Sequence, residues 1–358
     1  MLRRVLWIAA VGYAAAVGVR NVLYSRGWLK AHRVDAAVIS IGNITVGGTG
    51  KTPLVVWLCE LLISNFKSQI ADFKCAILTR GYKAAKDPRP KIEDPAFRGR
   101  TQDYSDEVAI FAESCPEAKV IVNPDRVAGA AEAIGQFGAK VLIMDDGFQH
   151  RRLARDLDIV AVDATEPFGY GKLLPAGLLR EPVASLRRAD AVVITRCDQV
   201  PKAQVDALEE KLLAANLNIA VARSIHSPVC ARSADNEEIS VEQLKGRKVF
   251  AFCGIGNPDA FLGSIRNLGA ELAGSKVYDD HYHYTEHCLA GIRAQAEASG
   301  ADIILTTQKD WTKVSGLARR GKGVPLAYLA VEIKFLAGQD RLTSLIEQTL
   351  AGRISQGG

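Results

Sequence analysis

Residues 39–53 read ISIGNITVGGTGKTP: a short apolar strand runs into a glycine-rich turn ending Gly50-Lys51-Thr52, and a helix-like segment opens at Pro53. That order predicts a phosphate-binding loop. Glycines let the chain turn tightly and aim N–H groups at phosphate oxygens. Lys51 would reach the β- and γ-phosphates, and the Thr52 hydroxyl would bind Mg²⁺. Pro53 suits a first helical turn, where its missing N–H is not needed, and the helix N-terminus adds partial positive charge. The candidate phosphate-contacting residues are Thr45, Val46, Gly47, Gly48, Thr49, Gly50, Lys51 and Thr52. One departure is visible: Thr45 stands where the common pattern has its first glycine, and Gly47 and Gly48 supply the flexibility in another place.

Working outward, the run 36–41 (AAVISI) stops at Gly42 as a buried strand should, and similar runs recur at 75–79, 119–122, 140–144, 158–162 and 191–195. Helix-like stretches at 53–63, 106–113 and 126–137 lie between several of them. Strands alternating with helices predict an α/β fold: a P-loop NTPase-like, mostly parallel sheet with helices on both faces. A second set follows, with helices at 203–214, 258–268 and 285–298 and strands at 219–223, 248–253 and 302–306. It predicts a smaller second α/β lobe, divided from the first at the polar turn 233–240. The stretch 83–103, rich in Lys, Asp, Pro and Arg, reads as an exposed, mobile loop.

The chain has 358 residues, 48% of them hydrophobic and 24% charged, the balance of a folded globular protein rather than a disordered or collagen-like one. The formal charge of +5 fits an anionic partner such as a phosphate ester or lipid surface without selecting one. Seven cysteines form no CxxC pair, which argues against a zinc ribbon or a disulfide framework and favours a reducing compartment. No basic stripe with interleaved aromatics appears, so a nucleic-acid partner has little support and none is expected.

Residues 141–146 (VLIMDD) are four apolar residues ending in two aspartates, the way a buried strand delivers a carboxylate toward a loop-held Mg²⁺. Asp145 and Asp146 are the candidates. Asp106, in Ser105-Asp106-Glu107 ahead of an apolar run, reads equally as a helix N-cap or as a functional carboxylate. His281, His283 and His287 form HYHYTEH, where a metal site competes with a single catalytic histidine. Thr195-Arg196-Cys197-Asp198 imitates the TKxD element that reads guanine in GTPases, with Arg in place of Lys; a strand end with a turn-forming Asp is the alternative. Arg80, Arg126, Arg151 and Arg152 are candidates for a substrate phosphate, by bidentate pairing.

At the N-terminus, 15 uncharged residues (5–19) are bracketed by arginines and Lys30. The run is short for a full span, which needs about 20 apolar residues. A signal peptide, a buried core helix and an anchor lying on the inner face of a bilayer compete. The last would set Trp7, Tyr13, Tyr24 and Trp28 near the headgroups and the arginines on anionic lipid.

With these residues assembled, the chain resembles the tetraacyldisaccharide 4'-kinase family over nearly its full length. The likeness is carried by RNxLYxxG (Arg20, Asn21, Leu23, Tyr24, Gly27), by residues 39–53, and by LTRGY (78–82), SDE (105–107) and DDGFQHRRL (145–153). It continues through LPAGLLREP (174–182), FCGIGNP (252–258), DDHYHYT (279–285) and TTQKDWTK (306–313). The resemblance implies transfer of the ATP γ-phosphate to the 4'-hydroxyl of a lipid-linked glucosamine disaccharide, at the cytoplasmic face of the bacterial inner membrane. It implies ATP and Mg²⁺, docking on the anionic membrane surface, and no obligate protein partner. It makes Lys51 and Thr52 the phosphate and Mg²⁺ ligands, Asp106 the base with His281 its partner, Asp145 and Asp146 the acidic pair at metal and nucleotide, and Glu181 a further metal ligand. The chain would then divide into a membrane-associated helical segment (1–33), a P-loop kinase core (34–232) and a C-terminal α/β lobe (233–358). A membrane-associated P-loop GTPase or ATPase switch is the rival reading.

Overall fold

The computed structural model describes residues 2–68, 70, 72–81, 91–93, 105–235, 237–280, 282–318 and 323–354. Among them the apolar runs form the strands β1 (Ala37–Gly42), β2 (Cys75–Thr79), β3 (Lys91–Glu93), β4 (Lys119–Val122), β5 (Val141–Asp145), β6 (Leu157–Asp163) and β7 (Ala191–Thr195). The chain goes on through β8 (Ala220–Ser233), β9 (Glu238–Ser240), β10 (Lys248–Cys253), β11 (Glu271–Val277), β12 (Ile303–Thr307) and β13 (Leu326–Ala337). The helices are α1 (Leu2–Ser25), α2 (Lys51–Phe66), α3 (Asp106–Ser114), α4 (Arg126–Phe137), α5 (Lys202–Ala215), α6 (Val241–Leu244), α7 (Pro258–Asn267), α8 (Glu286–Ala298), α9 (Gln308–Ala318) and α10 (Gln339–Ile354). All strands join one sheet in the order β11-β10-β12-β13-β8-β7-β6-β1-β5-β2-β4-β3, with β9 beside β8.

From β8 to β4 the first lobe is parallel. Its strands are continuous apolar runs, so both faces must be covered. On one face Leu54, Leu58 and Leu62 of α2 and Phe111 of α3 pack on Ile39, Ile143 and Ile159. On the other, Ala130 and Ala133 of α4 meet Val38, Leu142 and Met144, and Leu208 and Leu212 of α5 meet Val192 and Ile194. Parallel register aligns Ile41 with Asp145 and Gly42 with Val160, so the segments after β1, β5 and β6 emerge at one edge. Ligands bind at that carboxyl edge of open α/β sheets.

The second lobe is a parallel set, β11-β10-β12-β13, with its own two-faced core. Two long strands join the lobes. Residues Ala220 to Arg223 of β8 pair in parallel with β7, and the rest of β8 runs antiparallel to β13.

Three expectations change. The lobe expected over 233–358 loses its end, because Leu342, Ile346 and Leu350 of α10 are buried in the first lobe's core with Ile39 and Val141. Arg353 fastens that return, with Nε 3.2 Å from Asp156 and Nη2 donating to the Val34 carbonyl at 2.8 Å. The loop expected over 83–103 contains β3 at 91–93, which extends the sheet antiparallel to β4; residues 83–90 and 94–103 lie outside the described residues. Finally, α1 is not a buried core helix. Ala10 and Val17 are buried, while Trp7, Ile8, Val11, Val19 and Val22 are exposed, and the 20-residue stretch 6–25 is long and apolar enough to cross a membrane.

Candidate active site

The loop between β1 and α2 is tied down from outside. Val46 N–H donates to the Leu178 carbonyl at 2.8 Å and Arg180 N–H to the Ile44 carbonyl at 2.7 Å. Thr195, at the end of β7, donates from Oγ1 to the Thr49 carbonyl at 2.9 Å. Arg196 donates to the Gly48 carbonyl at 2.6 Å while pairing with Asp163, and Asn43 Nδ2 donates to Thr49 Oγ1 at 3.0 Å. With these carbonyls held from behind, the loop turns through left-handed Gly47 (φ 107°) and Gly50 (φ 81°) into α2 at Lys51. The first-turn amides of α2 have no partner inside the helix. All eight candidate residues from Thr45 to Thr52 line a cavity of about 1880 Å³.

Asp145 and Asp146 reach the same cavity from the end of β5. Asp145 accepts from Thr79 Oγ1 at 3.1 Å, and Arg126 donates to its backbone carbonyl at 3.3 Å. Burial, with the neighbouring Asp146 charge, pushes the Asp145 carboxyl up to about 6. For Asp146 burial acts in the same sense, but Lys51 Nζ at 3.4 Å and Arg180 Nη1 at 2.6 Å overcome it and hold the group down to about 2.

Asp106 is the first residue of α3. Ser105 takes the expected N-cap position but makes no side-chain cap bond. The Asp106 carboxylate instead lies 3.1 Å from Lys313 Nζ, across the cleft on α9. Lys313 lies 3.7 Å from Asp310. Asp310 is wholly buried and accepts from Gly254 N–H at 2.9 Å, Tyr284 Oη at 3.1 Å and Thr307 Oγ1 at 2.7 Å. The second lobe thus contributes a braced cation to the carboxylate on the first.

Other sequence candidates separate. His281 lies outside the described residues. His283 lines the cavity ahead of α8, whereas His287 lies inside that helix, which Thr285 caps. No single helix covers both, and no metal-holding cluster of His, Cys, Asp and Glu occurs among the described residues. Glu181 does not meet the acidic pair. It is fully buried outside the cavity lining, 3.2 Å from Arg20, 3.0 Å from Arg188 and 2.8 Å from Asn21 Nδ2. Burial alone would raise its carboxyl, but Arg188 and the hydrogen bonds lower it. Arg80 and Arg126 line the cavity. Arg151 instead reaches the Asn21 carbonyl at 2.9 Å and covers the Tyr24 ring, and Arg152 pairs with Asp125 at 2.8 Å. Asp198 of the guanine-like element is exposed and absent from the cavity wall.

Sequence reasoning assigned no role to Arg180, Lys313 or His226, all of which line the cavity. Arg180 carried one usable signal, its place beside the carboxylate in LLREP. Lys313 closes the TTQKDWTK motif (306–313), which gave it no role of its own, and His226 carried no signal, since it reaches the site through pairing of distant segments.

A strand–loop–helix phosphate cradle, a lysine at the helix start and two aspartates on the adjoining strand define a P-loop phosphotransferase. A family model described as tetraacyldisaccharide-1-P 4'-kinase matches residues 2–351, and the chain belongs to that family. The tetraacyldisaccharide 4'-kinase of Anaeromyxobacter sp. (strain K) is 36% identical over 348 residues, covering 97% of this chain and 90% of the relative. That of Geobacter metallireducens is 34% identical, covering 96% and 97%. A crystal structure of the "apo" form of LpxK from Aquifex aeolicus in complex with ATP superimposes with a TM-score of 0.76 at 31% identity, covering 98% of this chain and all of the other.

Proposed function

We infer that this protein is a tetraacyldisaccharide 4'-kinase. It transfers the γ-phosphate of ATP to the 4'-hydroxyl of tetraacyldisaccharide 1-phosphate, a lipid-linked glucosamine disaccharide, forming lipid IVA in lipid A biosynthesis. The observation that carries this reading is the convergence of the 45–52 loop, Asp145, Asp146 and Asp106 on one cavity at the carboxyl edge of the sheet, in a chain that matches the family from residue 2 to 351.

The residues present fit Mg²⁺. Thr52 and Asp145 offer hard oxygen donors beside the loop, and the charge of Asp145 is destabilised by burial in a way a divalent cation would relieve. Asp146 Oδ1 is buried with no hydrogen bond beyond its ion pair with Lys51, a second available oxygen. When bound, the ion would supply neutralisation of the negative charge on the phosphates.

The protein's own groups do the rest by positioning. Lys51 and the amides of α2 take up negative charge on the phosphates, with Asp146, itself held by Arg180, fixing the lysine ammonium until nucleotide arrives. A sugar hydroxyl is a weak nucleophile at neutral pH, so Asp106 accepts its proton. Lys313 orients that carboxylate. Arg80 and Arg126 are the arginines available to the acceptor's own phosphate. The exposed apolar side of α1, followed by exposed Arg26, Lys30 and Arg33, suits docking on the anionic cytoplasmic face of the inner membrane, with acyl chains left in the lipid while the sugar enters the cleft.

The GTPase-switch reading loses its support, since Arg196 is engaged by Asp163 and the loop while Asp198 stands off the cavity wall. A transfer assay with γ-labelled ATP or GTP and the disaccharide lipid tests the assignment. Label moving from ATP to the lipid is the expected result; nucleotide hydrolysis indifferent to the lipid would refute it.

A further inference from the structure

His226 lies on β8 opposite Ile333 of β13, where the strand carries the chain from one lobe toward the other. Its ring lines the cavity and lies against the phosphate loop. A β-carbon added to Gly50 would fall 2.6 Å from Nε2 and 2.9 Å from Cε1. Gly50 immediately precedes α2, so the imidazole edge meets the loop where the helix amides begin. Nε2 is shut off from solvent and has no hydrogen-bond partner in the structure, whereas buried polar atoms are normally satisfied. Burial first, and then the Arg196 charge, lower the imidazole to about 4 against an opposing effect of Asp163. At neutral pH the ring is therefore uncharged and offers one N–H and one lone pair. Thr195 and Arg196, its neighbours across the loop, are already bonded to loop carbonyls.

We propose that His226 is a nucleotide-binding residue whose Nε2–H donates to an oxygen of the phosphate chain held by residues 45–52. The proposal rests on reading those residues as the nucleotide seat. The orphaned nitrogen is then satisfied when a nucleoside triphosphate is in place. Because β8 continues into the second lobe, the same bond ties occupancy of the seat to the strand that joins the lobes.

The alternative is a ring that merely packs against Gly50, and the two differ in what nucleotide does to Nε2. The test uses the full chain labelled with ¹⁵N in histidine and glycine, titrated with ADP and with a non-hydrolysable ATP analogue in the presence of Mg²⁺. The expected result is that the His226 ring nitrogens shift together with the Gly48 and Gly50 amides. Kinetically, His226→Leu should raise the KM for ATP about 10- to 100-fold, the loss expected for a hydrogen bond to a charged group. The acceptor KM should stay unchanged, and His226→Gln, which keeps an N–H at that reach, should recover most of the loss. Loop amides that move while the ring nitrogens stay still, or a Leu variant with unchanged KM for ATP, would overturn the proposal. If neither loop nor ring responds, the nucleotide seat itself is wrong and the proposal falls with it. The titration uses the unmutated protein, so it decides even if the Leu variant fails to fold.

Discussion

Asp106 and Lys313 face each other from different lobes, and the proposed mechanism makes the first the proton acceptor and the second the group that aims it. Asp106→Ala should lower kcat by about 10²–10⁴-fold, the range for a lost general base, with little change in the KM for ATP. Near-normal turnover would remove Asp106 from the mechanism. Lys313→Met should lower kcat about tenfold and Lys313→Arg less, because a guanidinium still meets the carboxylate. Two histidines give a second consequence at this scale. Burial leads in holding His150 and His226 down to about 4, with Arg126 and Arg196 respectively adding repulsion. A histidine whose folded value lies below its unfolded one binds fewer protons when folded, so its stabilisation is complete above about pH 6.5 and is lost as pH falls toward 4. The melting temperature should therefore drop by several degrees between pH 7.5 and 5, and His226→Gln should flatten that slope. An unchanged slope would mean the ring is not held neutral in the fold.

Among the elements, those legible in the sequence and those that were not differ in their chemistry. β1, β5, β6 and β7 are mostly apolar and buried from end to end, so composition alone marked them, and the glycine-rich turn marked the start of α2. β11 reads ELAGSKV and has no buried residue along the sheet's edge, leaving no apolar pattern to detect. β13 owes its length to antiparallel pairing with β8, a partner some hundred residues away. The same division runs through the site. Lys51, Asp145 and Asp146 sit on local motifs, whereas Lys313 and His226 arrive through β12–α9 and through the β8–β13 pair. Glu181 was read as a metal ligand, and it instead joins α1 to the segment that brackets the phosphate loop, through Arg20, Asn21 and Arg188. Tyr13 adds a hydrogen bond to the Arg180 carbonyl at 3.0 Å. With its inner side so fastened, α1 leaves Trp7 and Val11 outward. Trp7→Ala with Trp28→Ala should weaken binding to anionic vesicles about 10- to 100-fold, from the apolar area withdrawn from lipid, while kcat on detergent-dispersed acceptor is kept. Unchanged co-sedimentation would place the membrane contact elsewhere.

On the scale of the whole molecule, the chain leaves the first lobe along β8, builds the second, and returns along β13 into α10. The return closes the core. Leu342, Ile346 and Leu350 fill the same apolar cluster as Ile39 and Val141, and none is more than 1% exposed. Burying an aliphatic side chain of that size contributes about 1.5–3 kcal/mol, so the three together supply roughly 5–9 kcal/mol. That is comparable with the net stability of an ordinary domain. Ending the chain at Gly338 would also leave Asp156 without Arg353. Although no residue of α10 lines the cavity, the truncated protein should fail to stay soluble or should melt far below the intact one, and should lose nucleotide binding with its fold. Ile346→Ala does the same in small: a loss of about 2–5 kcal/mol, read as a lowered urea midpoint with the KM for ATP unchanged in the folded fraction. A truncated chain that melted like the intact protein would show that the first lobe closes without its last helix.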